Sequence, residues 1–275
     1  MSQGSLLVSG IGLMGGSLAA AATAAGWRVM LHHRRPGPAA EAQARGWGTA
    51  IVNLSEAASC DLAVVCTPVE HIATTVRAII AATSAIVTDV GSIKGEVCAA
   101  LHDCSARFVG SHPMCGSHLQ GLANADPNLY RDAMAIVTPL PNSPPAAIER
   151  VEQMWASLGC RNLRLDPASH DHVVAIASHL PHLLANVAAR QLTPAAAPVG
   201  AGGFRDVTRI AGASTDLWTG ILLANRLEVA AAARRAAADL TAVADAIEHD
   251  KAQVLQAWLA EGRAGRRRFE AAKGM

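Results

Sequence analysis

Charge is scarce in this chain. Asp, Glu, Lys and Arg make up 16% of its 275 residues while 51% are hydrophobic, against roughly 25% charged in an average globular protein, which excludes a disordered polyelectrolyte. An excess of either sign is missing too: 23 basic and 22 acidic residues leave a net charge of +1, so no nucleic-acid footprint is expected. The one dense basic run, 263–268, reads as a solvated tail. Paired cysteine spacing is also absent. The six cysteines form no CxxC pair, and a chain of this length needs no disulfide staples, so reduced thiols are expected. Residues 5–25 are apolar, but no basic leader precedes them and Gly10, Gly12, Gly15 and Gly16 interrupt them. No other stretch reads as long enough to span a membrane. These absences lead to the expectation of a soluble cytoplasmic protein.

Two patterns divide the chain. Short β-branched runs at 6–9, 28–31, 62–66, 85–89, 107–110, 135–138 and 162–165 alternate with helix-length segments such as 16–25, 70–82 and 146–158, the signature of βαβ units on a parallel sheet. From Pro167 onward the strand pattern stops and helical runs take over at 170–191, 203–211, 215–249 and 251–261. The expected organisation is an α/β Rossmann-like domain over 1–166 and an all-α domain over 167–275. The helical part is apolar enough to predict homodimerisation through it.

The first strand runs directly into Gly10-Ile11-Gly12-Leu13-Met14-Gly15 and then a helix, which is GxGxxG in the strand-turn-helix setting a dinucleotide requires. Gly10 allows the tight turn, Gly12 lets the backbone approach a pyrophosphate and Gly15 lets the helix pack on the strand. The helix start at Leu13 and Met14 offers free N–H groups to the anion. A glycine turn that packs without ligand is the bland alternative. An NAD site places a carboxylate about 20 residues on, at the end of the second strand. Here stand His32, His33, Arg34 and Arg35 instead, with no acid before Glu41. Guanidinium groups hold a 2′-phosphate that a carboxylate would repel, so NADP is expected in preference to NAD, which remains possible.

Asp89-Val90-Gly91-Ser92 ends a later strand at the carboxyl edge of the sheet, where open α/β sheets bind ligands. Ser92 suits a hydrogen bond to substrate or nicotinamide, although locally a helix cap is the simpler reading. His112 follows the next strand at the same edge, and a histidine there suits proton transfer near neutrality. His179 and His182 are spaced i, i+3 on one helix face. That spacing also suits a metal, but no carboxylate or cysteine set completes a site, so none is expected.

The segments GIGLMGGSLA (10–19), CTPVE (66–70), TDVGSIK (88–94), GSHPMCGSHLQG (110–121), SHLPH (178–182) and GGFRDVTRIAGASTDLW (202–218) together resemble the prephenate/arogenate (cyclohexadienyl) dehydrogenases of tyrosine biosynthesis, over nearly the whole chain. The resemblance implies a Rossmann-like domain followed by a helical dimerisation domain, and an oxidative decarboxylation. It makes His112 the residue that hydrogen-bonds the ring 4-hydroxyl, with Ser92 in support. Arg209 becomes the substrate-carboxylate arginine, with Arg205 as its understudy. His179, His182 and Ser178 become pocket-lining residues, while His170 and His172 read as part of a helix start around Asp171. Thr67, Pro68, Asp89 and Gly91 join the glycine loop, His33, Arg34 and Arg35 in the expected cofactor set.

The sequence departs from that pattern at His118, where many family members carry an acid. The charge argument from this absence favours prephenate, whereas the GSHLQG segment looks like NADP-dependent arogenate-specific members; prephenate and/or arogenate stays open. The chain length leaves no expected room for a regulatory domain. Rival readings are a dehydrogenase of an amino-substituted prephenate analogue, a β-hydroxyacid dehydrogenase, and a non-catalytic NADP-binding protein.

Overall fold

A computed structural model describes residues 3–116 and 119–274. Five parallel strands form the first sheet: β1 (Ser5–Ser9), β2 (Arg28–His32), β3 (Thr49–Ala50), β4 (Leu62–Val65) and β5 (Ile86–Asp89), in the order β3-β2-β1-β4-β5. The helices between them are α1 (Leu13–Ala24), α2 (Pro36–Ala44) and α3 (Val69–Ala82). β1 is buried along its whole length, as expected of a central parallel strand covered on both faces. Its side chains alternate between two cores. Leu6 and Val8 join Leu18, Ala22 and Trp155, whereas Leu7 joins Ala63, Val65, Ile72, Val76 and Ile79. Truncating Leu7 to Ala would cost about 2–5 kcal/mol.

The strand order reverses between β1 and β4, so their carboxyl ends open the crevice in which such sheets hold ligands. After β5 come α4 (Gly95–Ala100) and a second sheet, β6 (Gly110–Pro113), β7 (Met134–Thr138) and β8 (Arg161–Arg164), with α5 (Pro145–Ser157) between the last two. Here the structure corrects two expectations. β6 runs antiparallel to β7, so the α/β half is not wholly parallel. The strand expected at 107–110 begins at Gly110, because Phe108 makes only an isolated bridge to Val87 before the chain passes to its new partner. Pairing with β7 overrides the weak strand preference of His112 and Pro113. The two-residue β3 is too short to leave a periodic signal.

The helical part contains α6 (Pro167–Val174), a single π-turn (Ala175–His179), α7 (Leu180–Arg190), α8 (Gly202–Thr208), α9 (Thr215–Ala224), α10 (Arg226–Glu248) and α11 (Ala252–Lys273). The helix expected over 215–249 is interrupted at Asn225, whose backbone leaves the helical region. The run Pro167–Arg190 is long and apolar enough by composition to cross a membrane, contrary to the expectation that no such stretch exists. Within this run His170, Asp171, His179 and His182 are buried.

Two compact units emerge, Met1–Arg226 and Leu227–Met275. Within the first unit α6 packs against α4 and β7. Within the second unit Trp258 donates to the Asp239 carboxylate at 3.0 Å. The basic run 263–268 lies inside α11 and is not a tail. Ala, Arg and Glu are strong helix formers, and Arg266 pairs with Glu270 one turn on at 2.7 Å.

Candidate active site

The glycine loop takes the shape its sequence demands. Gly10 has φ +102°, and a Cβ there would lie 2.7 Å from the Cys66 carbonyl carbon. A Cβ on Gly15 would lie 1.9 Å from the Gly10 oxygen, which is how α1 packs so closely under β1. Gly12 differs, since a Cβ there would meet no protein atom within 4 Å. It is the N-cap of α1 and no side chain caps that helix, so the first turn, with Leu13 and Met14 half-buried beside it, presents its N–H groups to open space. The Met14 carbonyl is turned inward and accepts the Tyr130 hydroxyl at 2.8 Å. Across the crevice the Thr67 hydroxyl is buried without a hydrogen-bond partner among the described residues, and Pro68 is the exposed N-cap of α3. An uncapped helix start facing an unpartnered buried hydroxyl fits a dinucleotide.

At the end of β2 the Ser9 hydroxyl lies 3.0 Å from His32 Nδ1, and His33 Nδ1 accepts the Arg35 N–H at 3.0 Å. Burial, followed by the neighbouring His33, lowers the pKa of His32. Arg34 and Arg35 are exposed. The strand end thus offers guanidinium groups where an NAD site would offer an acid.

Asp89, expected among the cofactor ligands, is fully buried and turned inward. One oxygen accepts the Gly91 N–H at 2.8 Å and the Lys94 ammonium, and the other accepts the Ser111 N–H at 3.1 Å. It anchors the loop from inside the fold. Gly91 is buried as well, because a Cβ there would meet Ile72 at 2.6 Å. Ser92 is half-buried, and the local reading of it as a helix cap fails. Lys94 is the N-cap of α4 with no capping side chain of its own. The cap comes from across the fold, where the Asp171 oxygens accept the N–H groups of Lys94 and Gly95, each at 2.8 Å.

His112 lies in β6 and is 8% exposed. Its Nδ1 stands 2.9 Å from Nε2 of His170, whose Nδ1 stands 2.8 Å from the Asp171 carboxylate. Burial, then the neighbouring charges of His170, Lys94 and His179, push the His112 pKa well below its ordinary value. Burial also lowers that of His170, against the opposing pull of Asp171. For Asp171, burial acts to raise the pKa, but His170 and the two N–H groups outweigh it, and the carboxyl stays below its usual range. At neutral pH the row is therefore a carboxylate and two neutral imidazoles. Sequence reasoning placed His170 and Asp171 only at a helix start; their partner is 58 residues away in the chain.

The π-turn between α6 and α7 carries Ser178, half-buried, and His179, buried. Such turns are frequent at functional sites. The Asn225 amide lies 3.3 Å from His179 Nδ1 and also donates to the Asp171 carbonyl at 2.8 Å, so the interruption before α10 has a use. Burial lowers the His179 pKa to about 4 and lowers that of His182 as well. The His182 ring centroid is 3.5 Å from that of Trp218, and its Nδ1 is buried without a partner among the described residues. Trp218 was not singled out as a site residue; its place in the TDLW segment was the available signal. Arg209 opens a 3₁₀ turn (Arg209–Gly212) that packs against α7, with its side chain exposed. Arg205 is exposed too, 3.3 Å from Asp206. Neither arginine touches the histidine row. His118 lies outside the described residues.

The sequence matches the family described as prephenate dehydrogenase, nucleotide-binding domain, over residues 18–163, and its dimerization domain over residues 166–261. The chain belongs to the prephenate dehydrogenase family. It is 36% identical over 150 residues to the prephenate dehydrogenase of Bacillus subtilis, covering 51% of this chain and 40% of that protein. The chain spans about half the length of the curated relatives it matches. Among solved structures, prephenate dehydrogenase from A. aeolicus in complex with hydroxyphenyl propionate and NAD+ superposes with a TM-score of 0.88 at 27% identity, covering 98% of this chain and 99% of that one. Synechocystis arogenate dehydrogenase gives 0.86 at 26%, covering 96% and 99%. The Rossmann-like sheet followed by helices is the architecture that the family matches describe.

Proposed function

We propose that this protein catalyses the NADP-dependent oxidative decarboxylation of prephenate and/or arogenate, yielding 4-hydroxyphenylpyruvate and/or tyrosine. The observation that carries this reading is a buried His112 in β6, tied through the neighbouring Ser111 N–H to Asp89 at the carboxyl end of β5, in a fold whose first sheet carries an uncapped glycine-loop helix. Gly10, Gly12, Gly15 and the first turn of α1 would hold the pyrophosphate, Thr67 and Pro68 would flank it, and His33, Arg34 and Arg35 would receive the 2′-phosphate. A nicotinamide held there would supply the acceptor for the hydride of substrate C4.

His112 takes the proton of the C4 hydroxyl at Nε2. It returns that proton to the phenol oxygen once the C1 carboxylate has left as CO₂ and its bonding pair has aromatised the ring. The driving force is the substrate's own, so the residues need only align and move a proton. Ser92 supports the hydroxyl, and His179, His182 and Ser178 line the substrate side. Arg209 forks a substrate carboxylate, with Arg205 behind it. A homodimer through the helical part agrees with the matched dimerization domain and with exposed Leu240, Ile247, Val254 and Leu259 on α10 and α11; light scattering reads its mass.

The test is appearance of reduced-nicotinamide absorbance in a matrix of prephenate or arogenate against NADP or NAD. Turnover fastest in an NADP cell supports the reading, and silence in all four cells with NADP binding intact overturns it. His112→Asn is expected to lower kcat by about 10²–10⁴-fold, the span of general acid–base catalysis, with NADP affinity kept.

A further inference from the structure

We propose that His170 and Asp171 are positioning residues that fix His112 in the tautomer with its proton on Nδ1, and that the same Asp171 carboxylate sets the loop carrying Ser92. The inference rests on the function proposed above for His112 and goes beyond it by assigning two residues that touch neither substrate nor cofactor.

The proton placement follows by elimination. An ionised carboxylate only accepts, so His170 must donate to Asp171 from Nδ1 at 2.8 Å. A neutral His170 then has a lone pair at Nε2, and the 2.9 Å contact with His112 Nδ1 requires His112 to be the donor. His112 Nε2 is left as an acceptor facing away from the row. Without His170 either tautomer of His112 is available, and the one protonated at Nε2 cannot receive a proton there.

Asp171 does this while holding the N–H groups of Lys94 and Gly95. Those bonds fix the end of the 90–94 loop, two residues after Ser92. A single carboxylate thereby ties β6, through His170 and His112, to the loop after β5. Asn225 adds a third tie, from its amide to the Asp171 carbonyl. Around the row stand Lys94, Asp89 and His179. Lys94 and Asp89 compensate one another as a buried pair, which leaves Asp171 as the uncompensated charge available to stabilise an imidazolium at His112.

The experiment compares wild-type protein with His170→Ala and His170→Gln. Ring ¹⁵N–¹H correlation spectra report the His112 tautomer without any substrate, and steady-state kinetics report kcat, KM and the pH profile. Wild type is expected to show a proton on Nδ1 only. His170→Ala is expected to populate both tautomers and to lose about 10²-fold or more in kcat, with NADP affinity kept and the melting temperature lowered by loss of a buried, hydrogen-bonded side chain; a wrong tautomer in a hydrolytic triad costs about 10⁴. His170→Gln, whose side-chain carbonyl can still accept from Nδ1, is expected to restore the tautomer and part of kcat. An unchanged His112 tautomer, or unchanged kcat, in His170→Ala overturns the proposal. Failure of the wild type to turn over either substrate would sink the proposed reaction instead, and the tautomer spectra would still decide the positioning role.

Discussion

Lys94 and Asp89 form an ion pair whose two side chains are both wholly buried. Such a pair is a poor source of net stability but is expensive to break, because the survivor is an uncompensated buried charge. Lys94→Met is therefore expected to destabilise the fold by about 3–5 kcal/mol. Adding Asp89→Asn should recover much of that loss, as denaturant melts would show.

Gly12 and Gly15 should separate binding from folding. Gly15→Ala drives a methyl into the Gly10 carbonyl, 1.9 Å away, and should lower the melting temperature sharply. Gly12→Ala meets no protein atom, so its melt should stay near wild type while dinucleotide affinity falls. Equal effects on both readouts would contradict the loop assignment.

Arg34→Ala should weaken NADP far more than NAD. A charge-assisted hydrogen bond contributes about 1.5–3 kcal/mol, so the expected change in the NADP/NAD affinity ratio is about 10- to 100-fold. Equal losses for the two cofactors would remove the 2′-phosphate from this strand end.

Acid should loosen the site from within. Burial lowers the pKa values of His112, His170, His179 and His182, that of His179 from 6.5 to about 4. The unfolded chain thus binds more protons than the folded one between these values. Stability is complete above about pH 6.5 and falls as pH drops toward 4, by about 1.4 kcal/mol per pH unit for each proton taken up. Urea melts across that window should show the loss, and His179→Gln should reduce its slope. A flat profile would contradict the burial of these imidazoles.

What could be read from sequence divides along a physical line. Gly10, Gly12 and Gly15 were legible because backbone conformation and close approach dictate glycine locally, whatever the rest of the chain does. His112 was singled out from its expected place just after a strand, whereas the structure sets it inside β6. His170 was not, since its contact with His112 is made by packing between α6 and β6 and leaves no local trace. Asn225 was hidden for the opposite reason: the flanking residues are strong helix formers, and a tertiary contact with Asp171 overrides them. Asp89 looked like a ligand because it ends a strand at the right edge, yet the fully buried Lys94 claims it from within.

The π-turn at Ala175–His179 makes the site depend on angle more than on distance. Nine residues separate His170 from His179, which in an unbroken α-helix of 3.6 residues per turn would set them on roughly opposite faces. Widening one turn absorbs about one residue, so the effective separation becomes about eight residues and the two imidazoles come within roughly 80° of each other. Chain length in this stretch is thus a rotational coordinate: removing or adding one residue would swing everything beyond it by roughly 100°, carrying His179 and His182 out of the quadrant that His170 and His112 share.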